Sequence, residues 1–321
     1  MIRSLFPIHR PRLGLSFRAH GLDLIEVRRR WRQPPIVVRV ASRAFQAGLL
    51  VPSSTTPNMA DPAAVAKEVD ALLEGVRDRT VAIDLPMACG TPALLHFETF
   101  PAARTEQEAL LRWRLRQEEH LTAPDLTLRW HCSPQGDPPA RAVSVLVVAI
   151  RQIILDQYHH VCEAAHLLPV TMGWSTFHLL HLARSVFPTE AHLYVAHRTA
   201  EALIVLALQE GRPVRLRVKP IRPTTGDLKT ALLQTLRYFS QDDPPQHPDR
   251  ARVTPLYLVE EGPSGDESWS ARDATDVWML SEDPHWTVPV TRAGWTTVSV
   301  VSAVAVPEPA PLGVVAALLA A

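Results

Sequence analysis

Two stretches of this chain, far apart in sequence, share one local plan: an apolar strand, a short polar turn and a second apolar strand. The first is Leu13-Gly14-Leu15-Ser16-Phe17-Arg18-Ala19-His20-Gly21-Leu22-Asp23-Leu24-Ile25-Glu26-Val27. The second is His192-Leu193-Tyr194-Val195-Ala196-His197-Arg198-Thr199-Ala200-Glu201-Ala202-Leu203-Ile204-Val205-Leu206. Each apolar run has the length of an ordinary strand. Both hairpins are followed by helical patterns, so the chain reads as an α/β protein with an internal pseudo-repeat.

Composition narrows the partners. The 321 residues are enough for two packed domains. Lys plus Arg equals Asp plus Glu at 33 each, so no global field draws the chain to nucleic acid or acidic lipid. Cys89, Cys132 and Cys162 are widely spaced and include no CxxC pair, which leaves no zinc or redox framework and points to reduced thiols. No signal-peptide pattern is expected, because Pro7, Arg10, Pro11 and Arg12 interrupt the first apolar residues. The apolar tail from Pro311 to Ala321 is shorter than the ~20 residues of a membrane span. Cytoplasm is the expected compartment.

The pattern between the hairpins predicts a strand from Ile36 to Val40 and a helix opening at Asp61-Pro62, with Val65, Val69, Leu72 and Leu73 facing inward. Thr80 to Pro86 reads as a buried strand and Ala93 to Phe97 as a small one. Thr105-Glu106-Gln107-Glu108 has capping-box spacing, which predicts a helix from Thr105 to His120 with Leu111, Leu115 and Trp113 inward. Leu126 to Trp130 and Val143 to Ile150 read as a hairpin across a Pro-rich loop. The cleanest helical stripe is Ile150, Ile153, Ile154, Gln157, Tyr158, Val161, Cys162 and Ala165. Leu168-Pro169-Val170 reads as a crossover to a helix from Ser175 to Val186. Strands from Val214 to Val218 and Val253 to Val259 flank a helix from Asp227 to Phe239 and a Pro-rich linker from Asp242 to Asp249.

This order of blocks resembles the type IV pilus assembly protein PilM and the cytoplasmic domains of GspL and MshI, degenerate or active members of the actin-like ATPase superfamily. The blocks that carry the resemblance are Leu13 to Val27, Val81 to Pro86, Pro101 to Trp130 with Arg116-Gln117-Glu118-Glu119-His120-Leu121-Thr122-Ala123-Pro124, Val145 to Leu182, and Leu312 to Leu319. The resemblance implies an actin-like (ribonuclease H-like) two-domain fold with a small extra subdomain. Its implied parts are a first actin-like subdomain over residues 1–86 and 149–188, the extra subdomain over 87–148, a second actin-like subdomain over 189–300, and a closing segment with a helix over 301–321.

The family's first phosphate loop carries an Asp-Ile-Gly-Ser-Ser pattern, in which glycine admits phosphate to backbone amides and the acid holds metal or water. Here Ser16 stands for the acid and Phe17 for the glycine. Tyr194-Val195-Ala196-His197-Arg198 takes the place of the second loop, and Gly262 and Gly265 are what remains of the glycine pair near adenosine. The candidate pocket remnant is therefore Gly14, Ser16, Arg18, His197, Gly262 and Gly265, with His20 and Arg198 as further phosphate contacts. Loss of two acids and two glycines removes both the hard oxygen ligands and the amide cradle that Mg²⁺-triphosphate needs. No catalytic residue, no cofactor and no metal is expected. Weak ATPase activity and an ATP/Mg²⁺-binding conformational switch form the alternative.

The resemblance further implies a partner. PilM-like proteins clamp the short cytoplasmic N-terminal tail of a bitopic membrane protein, PilN, and the residues to test for such a groove are Leu110, Trp113, Arg114 and Gln117. The expected role is a non-catalytic cytoplasmic scaffold of a type IV pilus or type II secretion-like inner-membrane platform. Other platform proteins and self-association, including filament formation, are further candidate partners; nucleic acid is not. Two weaker features complete the reading. His178-x-x-His181 lacks a third ligand for a metal, and the Arg28-Arg29-Arg30-Trp31-Arg32 run and the Met1-to-Phe6 segment suit a solvated tip and a surface contact more than an anchor. Gly-x-Ser-x-Gly, Walker and Gly-x-Gly-x-x-Gly motifs do not occur.

Overall fold

The computed structural model describes residues 11–28, 36–134, 142–177, 180, 191–199, 202–220, 225–241, 252–253, 256–260, 277–279, 286–287 and 289–293. Residues 1–6, 29–32, 242–249 and 301–321, together with His178, His181, Gly262 and Gly265, lie outside them. Contacts divide the chain into two units, one containing residues 1–89 and 154–182, the other 90–153 and 183–297.

The chain begins with β1 (Leu13–Arg18), β2 (Gly21–Arg28), β3 (Ile36–Ala44), α1 (Pro62–Leu72) and β4 (Thr80–Asp84). It leaves the first unit for β5 (Gly90–Phe97), α2 (Arg104–Glu118), β6 (Leu126–Pro134) and β7 (Val143–Arg151). It returns through α3 (Gln152–Ala164) and β8 (Leu168–Gly173). The rest comprises β9 (His192–Arg198), β10 (Ala202–Gln209), β11 (Arg212–Pro220), α4 (Thr225–Gln241), β12 (Arg252–Val253), β13 (Leu256–Glu260), β14 (Val277–Met279), β15 (Trp286–Thr287) and β16 (Pro289–Ala293).

The pseudo-repeat is visible in the sheets. Unit one has the order β3-β2-β1-β4-β8, with the first three strands antiparallel and β4 and β8 parallel to β1. Unit two repeats it as β11-β10-β9-β13-β16, with β13 and β16 parallel to β9 and with β14 added at the edge. Both predicted hairpins are thus the first two strands of equivalent sheets. Both faces of the central strand β1 are covered: Leu13, Leu15 and Phe17 are buried on one and Gly14 and Ser16 on the other.

The helix over α1 forms as its sequence dictates. Asp61 caps it by accepting from the Ala64 amide at 3.0 Å, with Pro62 in the first helical turn. Its far end is closed by a side chain from the sheet: Arg39 of β3 donates to the Leu72 and Glu74 carbonyls at 3.1 and 2.7 Å, oxygens the helix itself leaves unsatisfied. Val65, Ala66, Val69 and Leu72 are buried.

Gly21 opens β2 because nothing larger fits. A Cβ there would lie 2.4 Å from the Arg43 backbone oxygen of β3. Gly21→Ala is expected to force β2 and β3 apart and remove about 1–3 kcal/mol, read as a lower urea midpoint.

Unit two also contains a three-stranded antiparallel sheet, β5-β7-β6. Leu111 and Leu115 of α2 close its core over Ala93, Leu95, Leu128, Val145 and Val147. Several expectations are corrected here. The helix starts at Arg104, with Ala103 at the cap and no side-chain cap bond, so Thr105 and Glu108 form no capping box. Glu108 instead pairs with Arg112 one turn on, at 2.8 Å. Trp113 points outward, since Leu111 and Leu115 already fill the stripe over the sheet. Ile150 belongs to β7 and Ile153 is exposed, so the buried stripe of α3 is Ile154, Tyr158, Val161 and Cys162. The segment from Leu168 is an edge strand, β8, hydrogen-bonded to β4, not a bare crossover. The stretch Val253 to Val259 is divided between β12 and β13.

Candidate functional site

In an α/β sheet of this kind, chemistry gathers at the carboxyl ends of the parallel strands. In unit one those ends are Ser16 and Asp84, opposite each other in register on β1 and β4, and Gly173, opposite Asp84 on β8. Ser16 Oγ donates to Asp84 Oδ2 at 2.9 Å. The Ser175 amide donates to Asp84 Oδ1 at 2.6 Å, where residues 175–177 begin a helical turn. The carboxylate therefore sits at a helix start, where backbone amides and the dipole favour negative charge. Two more bonds tie the same strand ends: Leu85 N to the Gly173 carbonyl at 2.8 Å and Trp174 Nε1 to the Pro86 carbonyl at 2.9 Å. Ser16, Asp84, Ser175 and Thr176 are all buried. Both oxygens of Asp84 are thus engaged inside the unit.

Strand period places Gly14, Ser16 and Arg18 on one face of β1 and Leu13, Leu15 and Phe17 on the other. Phe17 is buried and meets Tyr158 of α3 edge-on, with ring centroids 5.1 Å apart at 83°. Behind it lies a closed polar cluster. Asn58 Nδ2 donates to Cys89 Sγ at 2.9 Å and to the Tyr158 hydroxyl at 3.2 Å, and that hydroxyl is 3.1 Å from Cys89 Sγ. Gln157 Oε1 accepts from the Asn58 amide at 2.6 Å, while its amide group donates to the Met59 carbonyl at 2.8 Å. Burial pushes the Tyr158 hydroxyl well above its ordinary value and the Cys162 thiol up to about 12. Neither is poised to ionise near neutral pH.

Gly14 and Arg18, the other remnant residues of unit one, are held within its own sheet. Gly14 lies within β1, opposite Ile25 and Ala82, and not at a turn. Arg18 turns to β2, where its Nε is 2.5 Å from Asp23, which also accepts from Ser42 at 2.6 Å. The connection from β1 to β2 is only residues 19–20. His197 belongs to unit two, buried on β9 opposite Ile204 and Val259. Among the described residues no group of three His, Cys, Asp or Glu side chains is placed to hold a metal ion.

Asp84, Ser175 and Asn58 escaped the sequence reading. A signal for Asp84 was present, since an acid inside the apolar run Val81-Ala82-Ile83-Asp84-Leu85 is expected to be buried and paired. Asn58, the chain's single asparagine, gave only its rarity.

The second candidate surface is α2. Leu110, Trp113, Arg114 and Gln117 fall at helical spacing along one stripe. Leu110 is half-buried and Gln117 exposed, and Trp113 is 55% exposed. Arg114 is fixed from two sides, its guanidinium 5.4 Å from the Phe97 ring centre and 2.6 Å from the Glu118 carboxylate.

No family model and no curated protein matches the chain. Among solved structures it is similar over 98% of both chains to a chain of a PilM-PilN type IV pilus biogenesis complex, with a TM-score of 0.72 and 21% identity. The fold is actin-like. That likeness and the doubled strand order agree on the architecture that the resemblance of the sequence implies. Weaker similarity extends to the cytoplasmic domain of EpsL, an inner-membrane component of the Vibrio cholerae type II secretion system, over 78% of this chain and 82% of that one, at TM-score 0.43 and 12% identity. A Bacteroides thetaiotaomicron protein with an actin-like ATPase fold and unknown function is similar over 98% of this chain and 99% of its own, at TM-score 0.46 and 10% identity.

Proposed function

We propose that this chain is a non-catalytic cytoplasmic scaffold of an inner-membrane assembly platform of the type IV pilus or type II secretion kind, holding the N-terminal tail of a PilN-like membrane protein. The observation that carries the reading is the full-length likeness to a chain of a PilM-PilN complex. The absence of catalysis is supported by Asp84, whose two oxygens serve Ser16 and Ser175, and by Phe17, whose ring fills the side of β1 facing α3. No helix among the described residues is long and apolar enough to cross a membrane; in this reading the partner supplies the attachment to the bilayer. The division at residues 86, 148, 188 and 300 belongs to the same proposal.

An extended tail needs apolar pockets and hydrogen-bonding edges, not a reactive group. The stripe of Leu110, Trp113, Arg114 and Gln117 is the proposed contact. An exposed tryptophan next to a fixed arginine has the composition of an interface hot spot. Trp113→Ala is expected to weaken binding of a fluorescent tail peptide from the PilN-like partner by about tenfold or more. Unchanged binding in Trp113→Ala and in the Leu110, Arg114 and Gln117 alanine variants would place the tail elsewhere.

A further inference from the structure

β11 is the outermost strand of the six-stranded sheet of unit two. It carries Arg212, Arg215, Arg217 and Lys219 and no acid. The helix beside it, α4, carries Lys229 and Arg237 and no acid from Leu228 to its end. In a chain whose charges balance at 33 against 33, this is a local surplus of one sign.

Register fixes where three of these cations lie. Arg215, Arg217 and Lys219 stand opposite Ala207, Val205 and Leu203 of β10, which share a buried core with Leu232 and Leu236 of α4. Opposite residues of paired strands lie on one face. The cations therefore form a row on the face that α4 covers, about 6.7 Å from one to the next along the strand.

Two of them are held in place by α4. The Arg217 guanidinium lies 4.7 Å from the ring centre of Tyr238, a side chain that is 53% exposed. Lys219 Nζ donates to Gln234 Oε1 at 2.6 Å. Both partners are neutral. The arginines of α2 and β7 differ in this respect, since Arg112 pairs with Glu108, Arg114 with Glu118 and Arg151 with Asp125. Arg217 and Lys219 are thus oriented without being neutralised by the groups that orient them, as complementarity to a negative partner requires.

We propose that this strip of β11 and α4 docks an acidic, extended segment of a partner protein that presents a carboxylate at every second residue. The two-residue period of the row is that of an extended chain, so successive carboxylates meet Arg215, Arg217 and Lys219 in turn. A single nucleic-acid strand matches the site less well, because one face of the Tyr238 ring is already covered by Arg217 and no second exposed ring lies on the row. A lipid surface calls for apolar side chains beside the cations, whereas the exposed Val218 of β11 alternates to the opposite face. The strip shares no residue with the stripe on α2, so it stands or falls apart from the scaffold reading.

The test is fluorescence polarisation of the full chain with a labelled peptide that alternates glutamate and threonine over about nine residues. Binding is expected, and it is expected to weaken about tenfold or more in the double variant Arg217→Gln, Lys219→Gln. Tyr238→Leu, which keeps both charges and removes the seat of the guanidinium, is expected to weaken it about threefold. A peptide of the same composition with its glutamates in one block is expected to bind about threefold more weakly than the alternating one. Absence of binding, equal binding of the two peptides or unchanged binding in the double variant would overturn the proposal. Tighter binding of oligothymidylate or of phosphatidylserine vesicles, lost in the same variant, would overturn it too. On the unaltered chain the bound peptide is expected to slow hydrogen exchange in β11 and the second half of α4, and protection confined to other elements would refute the site.

Discussion

Phe17→Ala is expected to remove about 3–5 kcal/mol from unit one, the range for deleting a buried aromatic ring. The ring occupies the core between β1 and α3, edge-on to Tyr158, and its loss opens a cavity beside the Asn58, Cys89 and Tyr158 cluster. The surrounding elements cannot collapse into it easily, because β1 is pinned on one side by β2 and on the other by β4. Urea unfolding followed in parallel with the wild type measures the loss. The same logic applies to a variant meant to restore a phosphate loop. Ser16→Asp with Phe17→Gly would set a second carboxylate against Asp84 and remove the ring, so it is expected to unfold at lower urea and to gain no affinity for ATP.

Asp84→Ala has the second large effect. It strips the partner from the Ser16 hydroxyl and from the Ser175 amide, both buried, and each orphaned group costs about 1–3 kcal/mol. The sum is a loss of about 2–6 kcal/mol, with faster hydrogen exchange at the ends of β4 and β8. Ser16→Ala removes only one of the two bonds and is expected to lose less. If Asp84→Ala unfolded at the wild-type midpoint, the carboxylate would not be holding the strand ends together.

The architecture was legible because each half announces itself through local rules. Strand period, the Asp61-Pro62 helix start and the placement of the two hairpins are all short-range signals, and they led to the correct sheets. What was missed depends on pairing across distance. The β8 edge reads as a linker because Pro169 interrupts it, yet its partner β4 lies far back in sequence and supplies the hydrogen bonds. Trp113 looks inward on a helix wheel, but only the sheet decides which stripe is covered. The site shows the same limit: Ser16 and Phe17 stood out in the sequence, whereas their contacts with Asp84 and Tyr158 depend on strand register and a returning helix.

The central proposal is that an actin-like frame has been kept here while its phosphate grip has become part of the core. Calorimetric titration of the whole protein with ATP and Mg²⁺ tests it most directly. The account predicts no saturable heat up to roughly millimolar ATP, whereas binding at about micromolar affinity would contradict it and make the chain a nucleotide-responsive switch.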